Sequence, residues 1–545
     1  MQREVIRANI VVFIASFCTL VIELVAGRIM APYVGVSLYT WTSIIGVVLA
    51  GISIGAYLGG RMADRYPRSS TLGWLLFLSG LGAFSISPLT NLIGGAQFHT
   101  SLMTRILMIT TIIFFVPSCL LGMISPVVVK LTLNNLEKTG NVVGKIYAFS
   151  TLGSILGTFA TGFFLISWMG TRYILLTMGI ILIISAFIFG SFFRNKKNLT
   201  LFFLFLFLSM LLPLVGLHIY AMTEPEEFSL STSPIESIKK MFTYAFRFPL
   251  EDEAYFFKES DYYTIKLKKS IKGNNGNPLE SLVLDHLVHS YTDLEDPLYI
   301  EYEYIRMYEE MVRWQAKKRT SLKVLFVGGG GYTFPRFIEA KYPKAKIHVV
   351  EIDPEITRVA KKYLGISDHT QIRSFNEDGR WFVMNCKEKG TYDFIFGDAF
   401  NDLSIPYHLT TKEFAMQLKS LLKPDGLLLA NVIDSFKKGA FMPSYIRTLE
   451  EVFGKGNIHL ITLTSDYEKI GISTCVVVAS PKRLDMEDFI KTVKGKGGEM
   501  TSHVMPQDQL QEYLKERYSV ILTDDYVPVD NLIAPIFEER FGYRP

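Results

Sequence analysis

Seven apolar stretches, at roughly 8–30, 39–60, 73–94, 103–130, 142–167, 172–193 and 199–220, are each long enough to cross a bilayer. In hydrocarbon every backbone N–H and C=O must be satisfied within its own segment, so runs of this kind fold as helices. Residues 1–220 are therefore expected to form a transmembrane helical domain of about seven spans. The start, MQREVIR followed by a run too long for the apolar part of a signal peptide, reads as an uncleaved first helix. Arg3 and Arg7 precede the first span, and Arg61, Arg65 and Arg68 follow the second. Lys130, Lys138 and Lys145 follow the fourth, and Arg194, Lys196 and Lys197 the sixth. Positive-inside bias then places the N-terminus in the cytoplasm, and seven crossings would put everything after Tyr220 on the far side. A net charge of +4 gives no electrostatic footprint for nucleic acid. The four cysteines (18, 119, 386, 475) contain no CxxC, which argues against a structural zinc site, and no metal is expected.

Within the apolar half, Gly46, Gly51, Gly55 and Gly59, and then Gly153, Gly157 and Gly162, have spacings suited to close helix packing. Glu23 and Arg28 lie at membrane depth or its edge, where a charge marks a pairing or a pathway. Gly60–Arg68, GRMADRYPR, is similar to a loop of major facilitator transporters; a basic stop sequence with a helix-capping Asp64 explains it as well.

After Tyr220 the composition changes abruptly. Residues 221–254 form a junction whose basic-aromatic run, 238–248, suits either a membrane interface or a packed helix. Two strand-like segments follow, KESDYYTIKLKKS and ESLVLDHLVHSYTD, joined by an Asn-Asn-Gly turn. With the helical stretch 296–317 they make a small β-subdomain over 255–318. From 319 to 545 strands alternate with helices: strands at 323–327, 346–350, 372–375, 392–397, 426–432, 458–463 and 474–479, helices such as 354–364 and 411–422. This spacing predicts a mostly parallel sheet with helices on both faces. Ligands of such sheets bind beyond the carboxyl ends of the strands. Acids collect there: Glu351 and Asp353, Glu377 and Asp378, then Asp398. Gly328, Gly329, Gly330 and Gly331 follow the first strand, and Glu351 lies about twenty residues on, placed to accept hydrogen bonds from a ribose diol. The tyrosines 299, 302, 304 and 308 suit a cation-binding wall or core packing equally, and His408 reads as a hydrogen-bonded loop histidine or a catalytic one.

VGGGG, VVEIDPEI, NEDGRWF and YDFIFGDAF, in this order, resemble the spermidine synthase family of aminopropyltransferases. The whole, with PYHLTTKEF, LTDDYVPVD and the apolar half, resembles the branch fused to an N-terminal membrane domain. The resemblance implies a transmembrane helical bundle followed by an α/β, Rossmann-like, methyltransferase-type domain with a small β-subdomain before it. It implies nucleoside binding by Gly328, Gly329, Gly330, Glu351, Asp378, Gly379 and Pro406, and Asp398 as the general base. It further implies amine contacts from Tyr262, Tyr263, Asp402 and Tyr467. Three positions depart from the family pattern. Gly331 stands where the family has an Asp that holds the donor's amine, Tyr263 where it has Gln, and Asn401, with Asp402 one step later, where it has a second catalytic-loop Asp.

The function implied is a multi-pass enzyme of the cell membrane that moves an aminopropyl group from decarboxylated S-adenosylmethionine to a small amine. The nucleoside is a co-substrate, with no permanently bound cofactor. The lipid bilayer is the expected partner, nucleic acid is not, and the family's habit implies a homodimer. Two alternatives stay open: an S-adenosylmethionine-dependent methyltransferase with a membrane-proximal substrate, and a non-catalytic transporter or sensor of polyamines or nucleosides.

Overall fold

The computed structural model describes residues 2–35, 37–94, 102–133, 139–191, 200, 254–285, 287–317, 319, 321–399, 405–495 and 500–541. The seventh apolar run, almost all of the 221–254 junction and Asp402 lie outside the described residues. The chain divides into two compact units, Met1–Asp252 and Glu253–Pro545.

The described residues of the first unit are helical: α1 (Gln2–Val34), α2 (Leu38–Arg65), α3 (Ser69–Ile93), α4 (Leu102–Gly122), α5 (Ile124–Thr132), α6 (Thr139–Ala160) and α7 (Ile166–Phe189). Among the described residues, five helical stretches are long and apolar enough to cross a membrane, the last being Thr139–Phe189 with 51 residues. A straight helix of that length would reach about 75 Å at 1.5 Å per residue, far beyond a hydrocarbon core of about 30 Å. The stretch is not straight: after a π-helical turn at Thr161–Leu165, Gly170 near the start of α7 adopts φ 65° and ψ 158° and kinks the helix there. The kink falls between the apolar stretches expected at 142–167 and 172–193.

Small residues set the packing. A Cβ on Gly55 of α2 would overlap the Cys119 carbonyl of α4, and one on Gly153 of α6 the Phe13 carbonyl of α1. Gly46 and Gly162 differ from the sequence expectation, because a Cβ on either would meet open space. Asp64 lies in the last turn of α2 and pairs with Lys130 of α5 at 2.8 Å, so its carboxylate joins two helices rather than capping one.

The second unit opens with an antiparallel sheet in the order β1 (Ala254–Glu259), β2 (Thr264–Lys272), β3 (Pro278–Leu284), β4 (Leu287–Asp293). Each of the two strand-like segments is thus a strand pair, broken by the polar turns at Ser260–Tyr263 and Asp285. Helix α8 (Glu303–Ala316) follows, shorter than the 296–317 expected. The preceding residues form a loop in which the Asp293 carboxylate accepts from the N–H groups of Glu295 and Asp296.

The main sheet has the order β12-β10-β11-β9-β8-β5-β6-β7. Its strands are β5 (Lys323–Val327), β6 (Lys346–Val350), β7 (Ile372–Phe375), β8 (Tyr392–Gly397), β9 (Leu422–Ser435), β10 (Ile458–Thr462), β11 (Ile472–Ala479) and β12 (His503–Val504). Strands β7, β6, β5, β8 and β9 run parallel; β5, β6 and β8 are buried along almost their whole length, as strands covered on both faces must be, while the edge strand β7 buries only Ile372. The other half corrects the expectation of a mostly parallel sheet, since β9–β11, β11–β10 and β10–β12 are antiparallel. Strands β10 and β11 are joined by a short segment with no crossover helix, which a parallel pair would require.

Candidate functional site

Register brings the site together. Val327 pairs with Val350 and Gly397, Val350 with Phe375, and Gly397 with Ala430. The next residue of each strand therefore lies at one edge of the sheet, and these residues are Gly328, Glu351, Asn376, Asp398 and Asn431.

Gly328 has φ +103°, and a Cβ there would overlap the carbonyl of Asp398, so the turn needs a residue without a side chain. Its N–H donates to Val350 O at 2.9 Å. The next N–H, of Gly329, donates to Glu351 Oε2 at 2.8 Å, and Asp353 N–H donates to Oε1 at 3.0 Å. Burial pushes the Glu351 carboxyl up to about 7 against these donors. Gly331 packs on the small β-subdomain, where a Cβ would overlap Ser290 Oγ of β4. Ser290 is buried, and its hydroxyl has no hydrogen-bond partner among the described residues.

The β1–β2 loop is fastened to the acidic end of β6. Ser260 Oγ donates to Asp353 and accepts from the N–H groups of Tyr262 (3.1 Å) and Tyr263 (2.9 Å). Asp353 also caps the helix Pro354–Tyr363 by accepting from Glu355 N–H at 2.9 Å. Tyr262 stands exposed at this rim. Its phenol is raised by burial and by the nearby Asp353, Asp261, Asp378 and Glu351. Tyr263 is turned inward against the core, and burial followed by Glu351 raises its phenol too. Both tyrosines thus lie beside Glu351 and Asp353.

Asp378 caps the short helix Gly379–Asn385 through Trp381 N–H at 2.9 Å and is met by His408 Nε2 at 2.8 Å. Burial pushes its carboxyl up, but the donors from Trp381, His408 and Arg380 outweigh that and hold it below the usual range. Gly379 sits over Val327, 2.8 Å from where a Cβ would lie. Arg380 ties the region together, donating to His408 O at 3.0 Å and to both carboxylate oxygens of Asp524. Pro406 starts the turn Tyr407–Leu409, and its carbonyl accepts from Leu409 N–H at 2.9 Å.

Asp398, half-buried at the end of β8, has a donor on each oxygen: Asn431 Nδ2 to Oδ1 at 2.8 Å and Tyr304 OH to Oδ2 at 3.1 Å. Burial raises its carboxyl, opposed by these two donors. Asp402 lies outside the described residues. Tyr467, in the segment between β10 and β11, stacks on Phe436 with centroids 5.9 Å apart.

Four residues of this arrangement were not singled out for it in the sequence: Ser260, Ser290, Tyr304 and Asn431. Tyr304 belongs to the tyrosine run that read equally as core or cation-binding wall; its ring is buried and its hydroxyl meets Asp398. Asn431 carried a weak signal, as the polar residue that interrupts the apolar run Leu427–Val432.

Residues 305–482 match the model of the spermine/spermidine synthase domain. The chain is 24% identical over 495 residues to polyamine aminopropyltransferase 2 of Aquifex aeolicus, covering 88% of each chain. It is 34% identical over 148 residues to the polyamine aminopropyltransferase of Vibrio vulnificus, covering 27% of this chain but only 48% of that relative's length. Among solved structures, a probable spermidine synthase from Corynebacterium glutamicum aligns over 49% of this chain and 95% of its own, with 20% identity and a TM-score of 0.44.

Proposed function

We propose, from a spermidine-synthase-type domain carried behind an apolar helical half, that this chain is a multi-pass membrane protein that transfers an aminopropyl group from decarboxylated S-adenosylmethionine to an amine. The observation that carries the reading is the common level of Gly328, Glu351 and Asp398 at one sheet edge. A ribose diol donates to Glu351, with the backbone of the glycine turn close against the nucleoside. Asp378, Gly379 and Pro406 flank the base, Tyr262 closes the rim, and Tyr263 backs it from the core side.

The acceptor arrives as an ammonium, attracted by the Asp398 carboxylate. Asp398 takes one proton, and the freed electron pair attacks the methylene carbon bonded to the sulfonium. The new C–N bond forms as the C–S bond breaks with its electrons passing to sulfur. Methylthioadenosine leaves as a neutral thioether that needs no acid, and the product is a secondary ammonium. Holding amine and sulfonium in line supplies much of the acceleration.

The test is release of methylthioadenosine by the purified full chain given this donor and a panel of amines. Asp398→Asn is expected to be inactive while still binding methylthioadenosine. Silence across the panel rejects the reading. One observation favours a second reading, methyl transfer from S-adenosylmethionine: Gly331 leaves no acid to repel the carboxylate of the undecarboxylated donor. Calorimetry with the two nucleosides separates them, because clear preference for the carboxylated one favours methylation.

A further inference from the structure

Tyr304 stands in the first turn of α8, the helix between the small sheet and the glycine strand. Its ring is buried and held edge-on by Tyr308 (centroids 5.5 Å, 85°) and against Tyr302 (5.5 Å); Tyr308 in turn rests on Phe396 at 5.1 Å. A ring packed on two sides cannot swing, so its hydroxyl is a fixed donor aimed at Asp398 Oδ2. From the other side Asn431 Nδ2 is fixed on Oδ1, and only that amide orientation offers a donor to the carboxylate.

We propose that Tyr304 is a positioning residue for the reaction, its hydroxyl holding the Asp398 carboxylate oriented and ready to take the amine's proton. The inference rests on the aminopropyl-transfer reading, in which Asp398 is the base. The titratable groups facing Asp398 are the phenols of Tyr302, Tyr304 and Tyr308, and Asn431 is the other polar side chain beside it. All are neutral near neutral pH. Burial favours the protonated, useless form of Asp398, and the Tyr304 and Asn431 donors are what oppose it. Deleting the Tyr304 hydroxyl removes one of them. The base then ionises at higher pH.

The experiment measures methylthioadenosine release by the full-length chain in detergent as a function of pH, with decarboxylated S-adenosylmethionine and putrescine as probes. Tyr304→Phe keeps the ring and loses the hydroxyl. With the donor saturating, so that the occupied nucleoside site no longer sets the profile, the acid limb of kcat/KM for putrescine is expected to move up by about one pH unit, with a roughly tenfold loss below the limb and recovery above it. Methylthioadenosine affinity stays at the wild-type value. A Tyr304→Phe limb that does not move, or a loss equal at every pH, overturns the proposal. Tyr304→Gln carries the test if the first variant does not fold. It keeps an N–H donor and is expected to hold the limb near its wild-type place, and a limb displaced by a full unit sinks the idea. A wild-type chain that releases no methylthioadenosine rejects the aminopropyl reading itself, a result distinct from an unmoved limb.

Discussion

Gly331 and Ser290 meet across the two parts of the second unit, so closely that a side chain at 331 would occupy the place of the Ser290 hydroxyl. Residue 331 and residue 290 are therefore one choice. Gly331→Asp alone overpacks a buried contact and is expected to cost about 1–3 kcal/mol, seen as a lower melting temperature. Ser290→Gly opens the space. The pair is expected to recover more than the sum of the single changes, by about 0.5–3 kcal/mol in a double-mutant cycle. Additive effects would mean that β4 shifts freely away from the glycine turn.

Glu351 gives the site a pH dependence whose sign can be worked out. Its carboxyl rises from an ordinary 4.5 to about 7 in the fold because it is buried. The unfolded chain therefore holds fewer protons than the folded one between these values, and this group's contribution to stability falls as pH rises through that window. A ribose diol donates to the ionised form, so nucleoside binding pulls the other way. Methylthioadenosine affinity, measured by calorimetry, is expected to strengthen as pH rises through about 7 and then level off. In Glu351→Gln the affinity falls by about 10- to 100-fold, the worth of hydrogen bonds to a charged group, and the pH dependence disappears.

The glycine turn and the acids were legible in the sequence because they follow apolar runs whose ends fix the sheet edge. Counting residues past Val327, Val350 and Gly397 is enough to find Gly328, Glu351 and Asp398. What surrounds them was not legible, for a physical reason. Tyr304, Asn431, Ser260 and Ser290 act across 33 to 94 residues of sequence, through contacts that exist only after β4, α8 and β9 have packed. Periodicity reports which face of an element is apolar, and it left Tyr304 and Tyr308, both buried in the fold, equally open to core packing and to a cation-binding wall. It carries no information about which carboxylate a buried phenol will meet. The antiparallel half of the sheet escaped notice similarly, since an apolar strand reads alike in either direction.

Ser260 ties the β1–β2 loop to Asp353, and the same carboxylate caps the helix that follows β6. Ser260→Ala leaves a buried carboxylate short of one donor. The expected cost is about 1–3 kcal/mol of stability. Because Tyr262 and Tyr263 hang on the same hydroxyl through their N–H groups, KM for both substrates is expected to rise more than kcat falls. Steady-state kinetics alongside thermal melting separates this from a general loss of fold, which would lower the active fraction and leave KM alone.

Trp168 tests how the long apolar stretch crosses the bilayer. It lies two residues before the break at Gly170 and is 76% exposed. A helix of 51 residues that crossed once would leave about half its apolar length in water, which the hydrophobic effect forbids. Two crossings with the turn at Gly170 put Trp168 at an interface, where its ring is amphipathic enough to settle. The lysines and arginines at 138, 145, 194, 196 and 197 flank the two ends of the stretch, and positive-inside bias predicts both ends in the cytoplasm. A cysteine at 168, in a chain with its four native cysteines replaced by alanine, is therefore expected to react with a membrane-impermeant maleimide from outside intact cells. Cysteines placed at 138 and 196 should react only after the membrane is opened. Labelling at 168 that also requires lysis would reject the turn and leave α6 and α7 without a second crossing.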